Sequence, residues 1–117
     1  MTSLVACLST GKGTWGHVSR LIQDEKWDKV ILITNDFGKE NFQKTENTEF
    51  ILIDSNQGLK ELQEEICSKL KDKINGEIAL NIVSGTGKEH MALLSALLKL
   101  GLGIRLIALT KEGIQEI

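Results

Sequence analysis

Residues 78–100 read Ile78-Ala79-Leu80-Asn81-Ile82-Val83-Ser84-Gly85-Thr86-Gly87-Lys88-Glu89-His90-Met91-Ala92-Leu93-Leu94-Ser95-Ala96-Leu97-Leu98-Lys99-Leu100, with Gly101 next. Ile78 to Val83 is a short apolar run without clean polar alternation, the pattern of a strand covered on both faces. Two glycines then break the run. From about Lys88 to Leu100 the spacing becomes helical, and Gly101 supplies a stop, because glycine takes the left-handed C-terminal conformation without penalty. Strand, glycine-rich turn and helix make half of a βαβ crossover, and the flanks decide whether the unit is repeated.

It is. Upstream, Leu59, Leu62, Ile66, Leu70 and Ile74 form a helical stripe that ends at Asn75-Gly76. Downstream, Ile104 to Leu109 is another apolar run. Towards the N-terminus lie three more runs, Leu4 to Leu8, Val30 to Ile33 and Phe50 to Ile53. Trp15, Val18, Leu21 and Ile22 recur at helical spacing after the first of them. Asn35 to Glu49 is polar apart from Phe37 and Phe42 and reads as a loop with room for one helical turn. The alternation predicts an α/β fold: a doubly wound, parallel five-stranded sheet in the order 3-2-1-4-5, three layers deep, with helices on both faces.

A chain of 117 residues, 41% apolar and 26% charged, is expected to be a single domain spanning 1–117. Aromatics are only 4% of the residues, so the core must come from Ile, Leu, Val and Ala. Proline is absent, which excludes X-Pro switches and polyproline linkers. Cys7 and Cys67 stand far apart in no metal-ligand spacing and read as reduced thiols. There is no basic segment followed by an apolar run at the N-terminus, and no stretch approaches the ~18 to 20 apolar residues that cross a bilayer. A cytoplasmic protein off the membrane is expected. A net charge of −2 argues against a surface for duplex DNA, though not against a small anionic ligand.

In a sheet of this order the winding reverses between strands one and four, and ligands bind beyond their carboxyl ends. Ser9-Thr10-Gly11-Lys12-Gly13-Thr14 follows strand one, and Ser84-Gly85-Thr86-Gly87-Lys88-Glu89-His90 follows strand four. Both combine glycine, hydroxyl and lysine, and both open a helix. Glycine admits close backbone approach, free amides at a helix start attract anions, and the lysines add point charges. The hydroxyls donate to phosphate or ribose oxygens. The predicted ligand contacts are therefore Thr10, Gly11, Lys12, Gly13, Thr14, Ser84, Gly85, Thr86, Gly87, Lys88 and His90. The competing reading is of plain tight turns with solvated lysines.

Two motif matches fail. The G-x-x-x-x-G-K-[ST] phosphate loop would need glycine where Ile82 stands and a hydroxyl where Glu89 stands. Gly11-Lys12-Gly13 opens a dinucleotide fingerprint whose third glycine is Gly16; Asn35-Asp36 after strand two offers only a weak match to its ribose-binding acid. His17 and His90 each fall in a first helical turn, with no H-x-x-x-H pair, so no metal and no cofactor is expected. Trp15 is suited equally to stacking on a base and to packing on the sheet, and Trp27 to anchoring the loop before strand two.

The stretch Asn81 to Leu97 resembles the second signature of CRISPR-associated Rossmann fold (CARF) domains, a strand entering a glycine-threonine-lysine turn and an alanine- and leucine-rich helix. Leu8 to Gly16 is similar to the first signature. The resemblance implies a Rossmann-like homodimer that binds cyclic oligoadenylate across its two-fold axis in CRISPR antiviral defence. It also implies, for some members, slow metal-independent cleavage of the ring through a ribose 2′-hydroxyl. On that basis Ser9 or Thr10 matches the turn hydroxyl, and Ser9 and Lys88 are the expected catalytic residues. The family usually adds a helix and strand after strand five and an output domain; neither a nuclease nor a duplex DNA-binding domain is expected in this chain. The rival readings are a small enzyme or binding protein for another nucleotide or phosphorylated metabolite, using Lys88 and His90, and a structural subunit.

Between Met91 and Leu100 only Ser95 and Lys99 are polar, so this helix is apolar around most of its circumference. A helix on one sheet face needs a stripe only somewhat wider than ~100°. A neighbouring helix could cover the excess; a second copy is the stronger expectation, with Leu94 or Leu98 facing outward.

Overall fold

The structure, a computed structural model, describes residues 2–8 and 12–117. Strands β1 (Ser3–Cys7), β2 (Val30–Thr34), β3 (Thr48–Leu52), β4 (Glu77–Asn81), β5 (Gly103–Thr110) and β6 (Gly113–Glu116) form one sheet in the order β3-β2-β1-β4-β5-β6. The first five are mutually parallel in the expected order. β6 was not foreseen. It folds back antiparallel on β5, pairing Leu109 with Ile114 and Ala108 with Gln115. The helices are α1 (Trp15–Asp24), α2 (Asp36–Asn41), α3 (Leu59–Leu70) and α4 (Gly87–Lys99), with a 3-10 turn over Lys12–Thr14 leading into α1.

The absence of alternation has a direct cause: the central strands are apolar on both faces because both faces are covered. Leu4, Ala6, Leu8, Val30 and Leu32 point to the layer holding Trp15, Val18, Leu21 and Phe42. Val5, Cys7, Ile31, Ile33, Ile78 and Leu80 point to the layer of α3 and α4, where Leu62, Ile66, Leu70, Ala92, Leu93, Ala96 and Leu97 are buried. Trp27 acts as the expected anchor, donating its indole N–H to the Leu21 carbonyl at 2.8 Å.

α2 is the short helix allowed for inside the segment read as a loop with room for one helical turn. The Asn35 side chain caps it by accepting the Gly38 amide at 3.0 Å. α3 covers one flank of α4, which accounts for part of the apolar excess on that helix. Met91 and Leu98 stay 60% and 63% exposed, while Leu94 is half-buried. No helix among the described residues is long and apolar enough to cross a membrane.

Candidate functional site

The two glycine-rich segments follow neighbouring strands. β1 and β4 are register neighbours, with Ala6 opposite Asn81, so the chain leaves the sheet at the same end after each of them, where the winding reverses. Ser9, Thr10 and Gly11 lie outside the described residues. Lys12 and Gly13 are exposed and Thr14 is half-buried at the head of α1. The Thr14 side chain makes no cap bond, so it leaves the first amides of α1 unsatisfied by that hydroxyl. The Lys12 ammonium stands 5.7 Å from the Trp15 ring centre and 5.8 Å from that of Phe37, within cation–π range of both. Trp15 itself packs edge-on against Phe42 at 5.7 Å and is 8% exposed, which favours packing over base stacking.

The second turn is built around Gly85, whose φ of +108° places it in the left-handed region. Ser84 beside it is buried. Thr86 caps α4: its hydroxyl accepts the Glu89 amide at 3.1 Å, and the Glu89 carboxylate accepts the Thr86 amide at 2.8 Å. This reciprocal box satisfies two of the donors at the helix start. The amides of Gly87 and Lys88, in the same first turn, have no acceptor among the described residues.

Lys88 and His90, both expected to meet a ligand, have protein partners. The Lys88 ammonium donates to the Ser55 carbonyl at 2.9 Å and also to the Gln57 carbonyl, which directs it at the loop between β3 and α3. An ammonium has three N–H groups, so one remains for an anion. His90 Nε2 lies 2.8 Å from the Ser84 carbonyl, which can only accept, so Nε2 carries the proton and the ring braces its own turn. His17 ties α1 to the sheet: its Nε2 accepts the Leu109 amide at 3.3 Å and lies 3.2 Å from the Asn81 amide nitrogen.

The β3–α3 loop was not expected at the site. Ser55 Oγ donates to Glu89 at 2.5 Å, so this loop is fastened to α4 through both Lys88 and Glu89. Between it and the start of α2 opens a cleft of about 540 Å³, with Asn35, Asp36, Asp54, Ser55, Thr86 and Glu89 on its walls and Leu52 and Ile53 beneath. The sequence signal for it was Asp54-Ser55-Asn56, a polar turn at the carboxyl end of a strand.

Burial, reinforced by the nearby Glu89 charge, pushes the Cys7 thiol far above its ordinary value. Cys7 is thus a core side chain and no nucleophile at neutral pH. Among the described residues no group of three or more His, Cys, Asp or Glu side chains is placed to hold a metal ion.

No family model and no curated protein matches this chain. Solved structures do match. One is Enterococcus italicus Csm6 bound to cyclic hexa-2′-fluoro-hexa-dAMP, at a TM-score of 0.56 and 16% sequence identity. The alignment covers 95% of this chain and 34% of that one. The likeness establishes the fold. Nearly the whole of this chain corresponds to one third of the larger protein, so the chain has the shape of one of its parts.

Proposed function

We propose that this domain is a CARF-like nucleotide sensor that binds cyclic oligoadenylate at a homodimer interface in CRISPR antiviral defence and cleaves the ring without a metal. What supports this reading is that the glycine- and lysine-bearing segments of the sequence follow two neighbouring strands, β1 and β4, in a fold shared with a CARF-domain protein. Lys12, the third N–H of Lys88 and the amides of Gly87 and Lys88 are the donors for phosphate. Gly13, Thr14, Ser84, Gly85 and Thr86 shape the turns, and Thr10 and Gly11, beside Lys12 in the sequence, are further candidate contacts. His90 positions the second turn.

For cleavage, a ribose 2′-hydroxyl attacks the adjacent phosphorus as the P–O5′ bond breaks; its proton is given up to solvent and one from solvent is taken up by the departing O5′, leaving a 2′,3′-cyclic phosphate and a 5′-hydroxyl. Lys88 balances the charge that gathers on the phosphoryl oxygens, and Ser9 is the hydroxyl that orients them. A two-fold axis beside α4 would bring both copies of the Lys88 turn onto one ring, and Met91 and Leu98 are the apolar groups available for that contact.

Calorimetric titration of cyclic tetra- and hexaadenylate tests the reading. Lys88→Ala should weaken binding by about 1.5 to 3 kcal/mol, the scale of a charge-assisted hydrogen bond, with the domain still folded. Cleavage products should persist in EDTA. Equal affinity in wild type and variant removes Lys88 from the site, and activity that returns only with added magnesium or manganese overturns the metal-free step.

A further inference from the structure

The cleft beside the glycine turns has the wrong charge for phosphate. Asp36, Asp54 and Glu89 bring three carboxylates to its walls, and among the described residues no basic side chain lines it. An anionic group entering there would be repelled and partly desolvated at once. Its volume of about 540 Å³ nevertheless falls in the range of small-molecule sites, and Leu52 and Ile53 give it an apolar floor.

Its acceptors are not equivalent. Both Glu89 oxygens are occupied, one by the Thr86 amide and the other by the Ser55 hydroxyl. Asn35 has given its carbonyl oxygen to Gly38. Asp54 is held in place by the Asn56 amide at 3.0 Å on Oδ1, which leaves Oδ2 open. The Asp36 carboxylate has no hydrogen-bond or ion-pair partner among the described residues. Two acceptors, one fixed and one open, thus remain over an apolar floor, next to a turn whose free donors suit phosphate.

From this division we infer that the cleft is a nucleoside subsite, in which Asp54 and Asp36 accept hydrogen bonds from neutral donor groups of the ligand while its phosphates stay at the Gly85–Lys88 turn. The inference rests on the proposed nucleotide ligand. In an adenylate the neutral donors are the ribose 2′-hydroxyl and the exocyclic amine of adenine, and both present the same N–H or O–H to a carboxylate. A phosphorylated metabolite without such donors gains nothing in the cleft.

The test uses the full chain, its Asp54→Asn and Asp36→Asn variants, and three cyclic hexanucleotides: the adenylate, its 2′-deoxy analogue and the purine-riboside analogue, which lacks the amine and adds no other donor. Asn keeps the shape and an acceptor for the Asn56 amide while removing the charge. Each variant should bind the adenylate about tenfold more weakly, the loss of one charge-assisted hydrogen bond. The loss should vanish against the analogue that lacks the matching donor. Vanishing with the 2′-deoxy ring assigns the hydroxyl, and vanishing with the purine-riboside ring assigns the amine. Equal losses for all three rings, or no loss for any, would overturn the subsite. If wild type binds none of the rings, the sensor reading falls and takes the subsite with it; if binding is intact and still depends on Lys88, only the subsite falls.

Discussion

Gly85 shows what a single residue decides in the β4–α4 turn. Its φ is +108°, and a Cβ there would stand 3.0 Å from Cys7 Cβ and from His90 Nε2. Alanine would have to shift either the strand end or the ring that braces the turn. Gly85→Ala should therefore cost about 1 to 3 kcal/mol in urea unfolding. Gly87→Ala is the control: it sits at the first position of α4 in open space and should change stability by no more than about 1 kcal/mol, in the stabilising direction. Matching midpoints for Gly85→Ala and wild type would refute the strain argument. Before the structure, the two glycines were equivalent letters in one turn. Lys88 and His90 were equally opaque: their residue types suited an anion, but Lys88 meets carbonyls 33 and 31 positions earlier, and no local spacing encodes such a pair.

Among the elements, those that were legible are those whose apolar pattern is long or wholly buried. The cores of β1 to β5 and the stripes of α1 and α4 fall where the sequence reading put them, but α3 ends at Leu70, so Ile74 and the Asn75-Gly76 stop lie beyond the helix rather than closing it. Two were not legible. α2 is only six residues long and exposes Phe37, so its one signal was the Asn35 cap. β6 is four residues at the sheet edge, two of them exposed, and its signal was Gly113, whose φ of +100° turns the chain back on β5. β4 stops at Asn81, short of Ile82-Val83, because the Asn81 side chain bonds the Ile107 carbonyl and accepts the Val83 amide, which bends the chain out of the sheet. The α4 cap is a threonine three residues before a glutamate. Thr86→Ala removes one half of that box and should lower stability by about 1 kcal/mol, with Thr86→Ser restoring most of it. A urea midpoint unmoved in Thr86→Ala would mean that the cap does not hold the helix start.

The molecule as a whole joins a closed core to an unfinished surface. α3 shields one flank of α4, yet Met91 and Leu98 remain open to solvent near the site end and the far end of the same helix, and Val83 and Leu106 are exposed as well. A symmetric contact along α4 covers such residues twice over, which is the efficient use of one patch. Leu98→Glu should then give folded monomers whose affinity for cyclic oligoadenylate falls at least as far as that of Lys88→Ala. Leu94, expected as an equal candidate, is half-buried against the core, so a charge there would disturb folding as well as assembly. Light scattering that finds the wild type monomeric at tens of micromolar would exclude the dimer and leave each site to be completed within one chain.

β1 is made early and finished late. One of its edges is closed by Val30 to Ile33, but the other waits for Ile78 to Asn81. On a ribosome the half-sheet β3-β2-β1 can assemble once residue 52 has emerged, and it then carries a bare edge strand, apolar from Leu4 to Cys7, until β4 arrives. At typical synthesis speeds that interval is on the order of seconds, long compared with the microseconds in which strands find partners. Nascent chains stalled within α3 should therefore be the stickiest species this sequence produces, drawn to one another and to chaperones through the edge that β4 later closes.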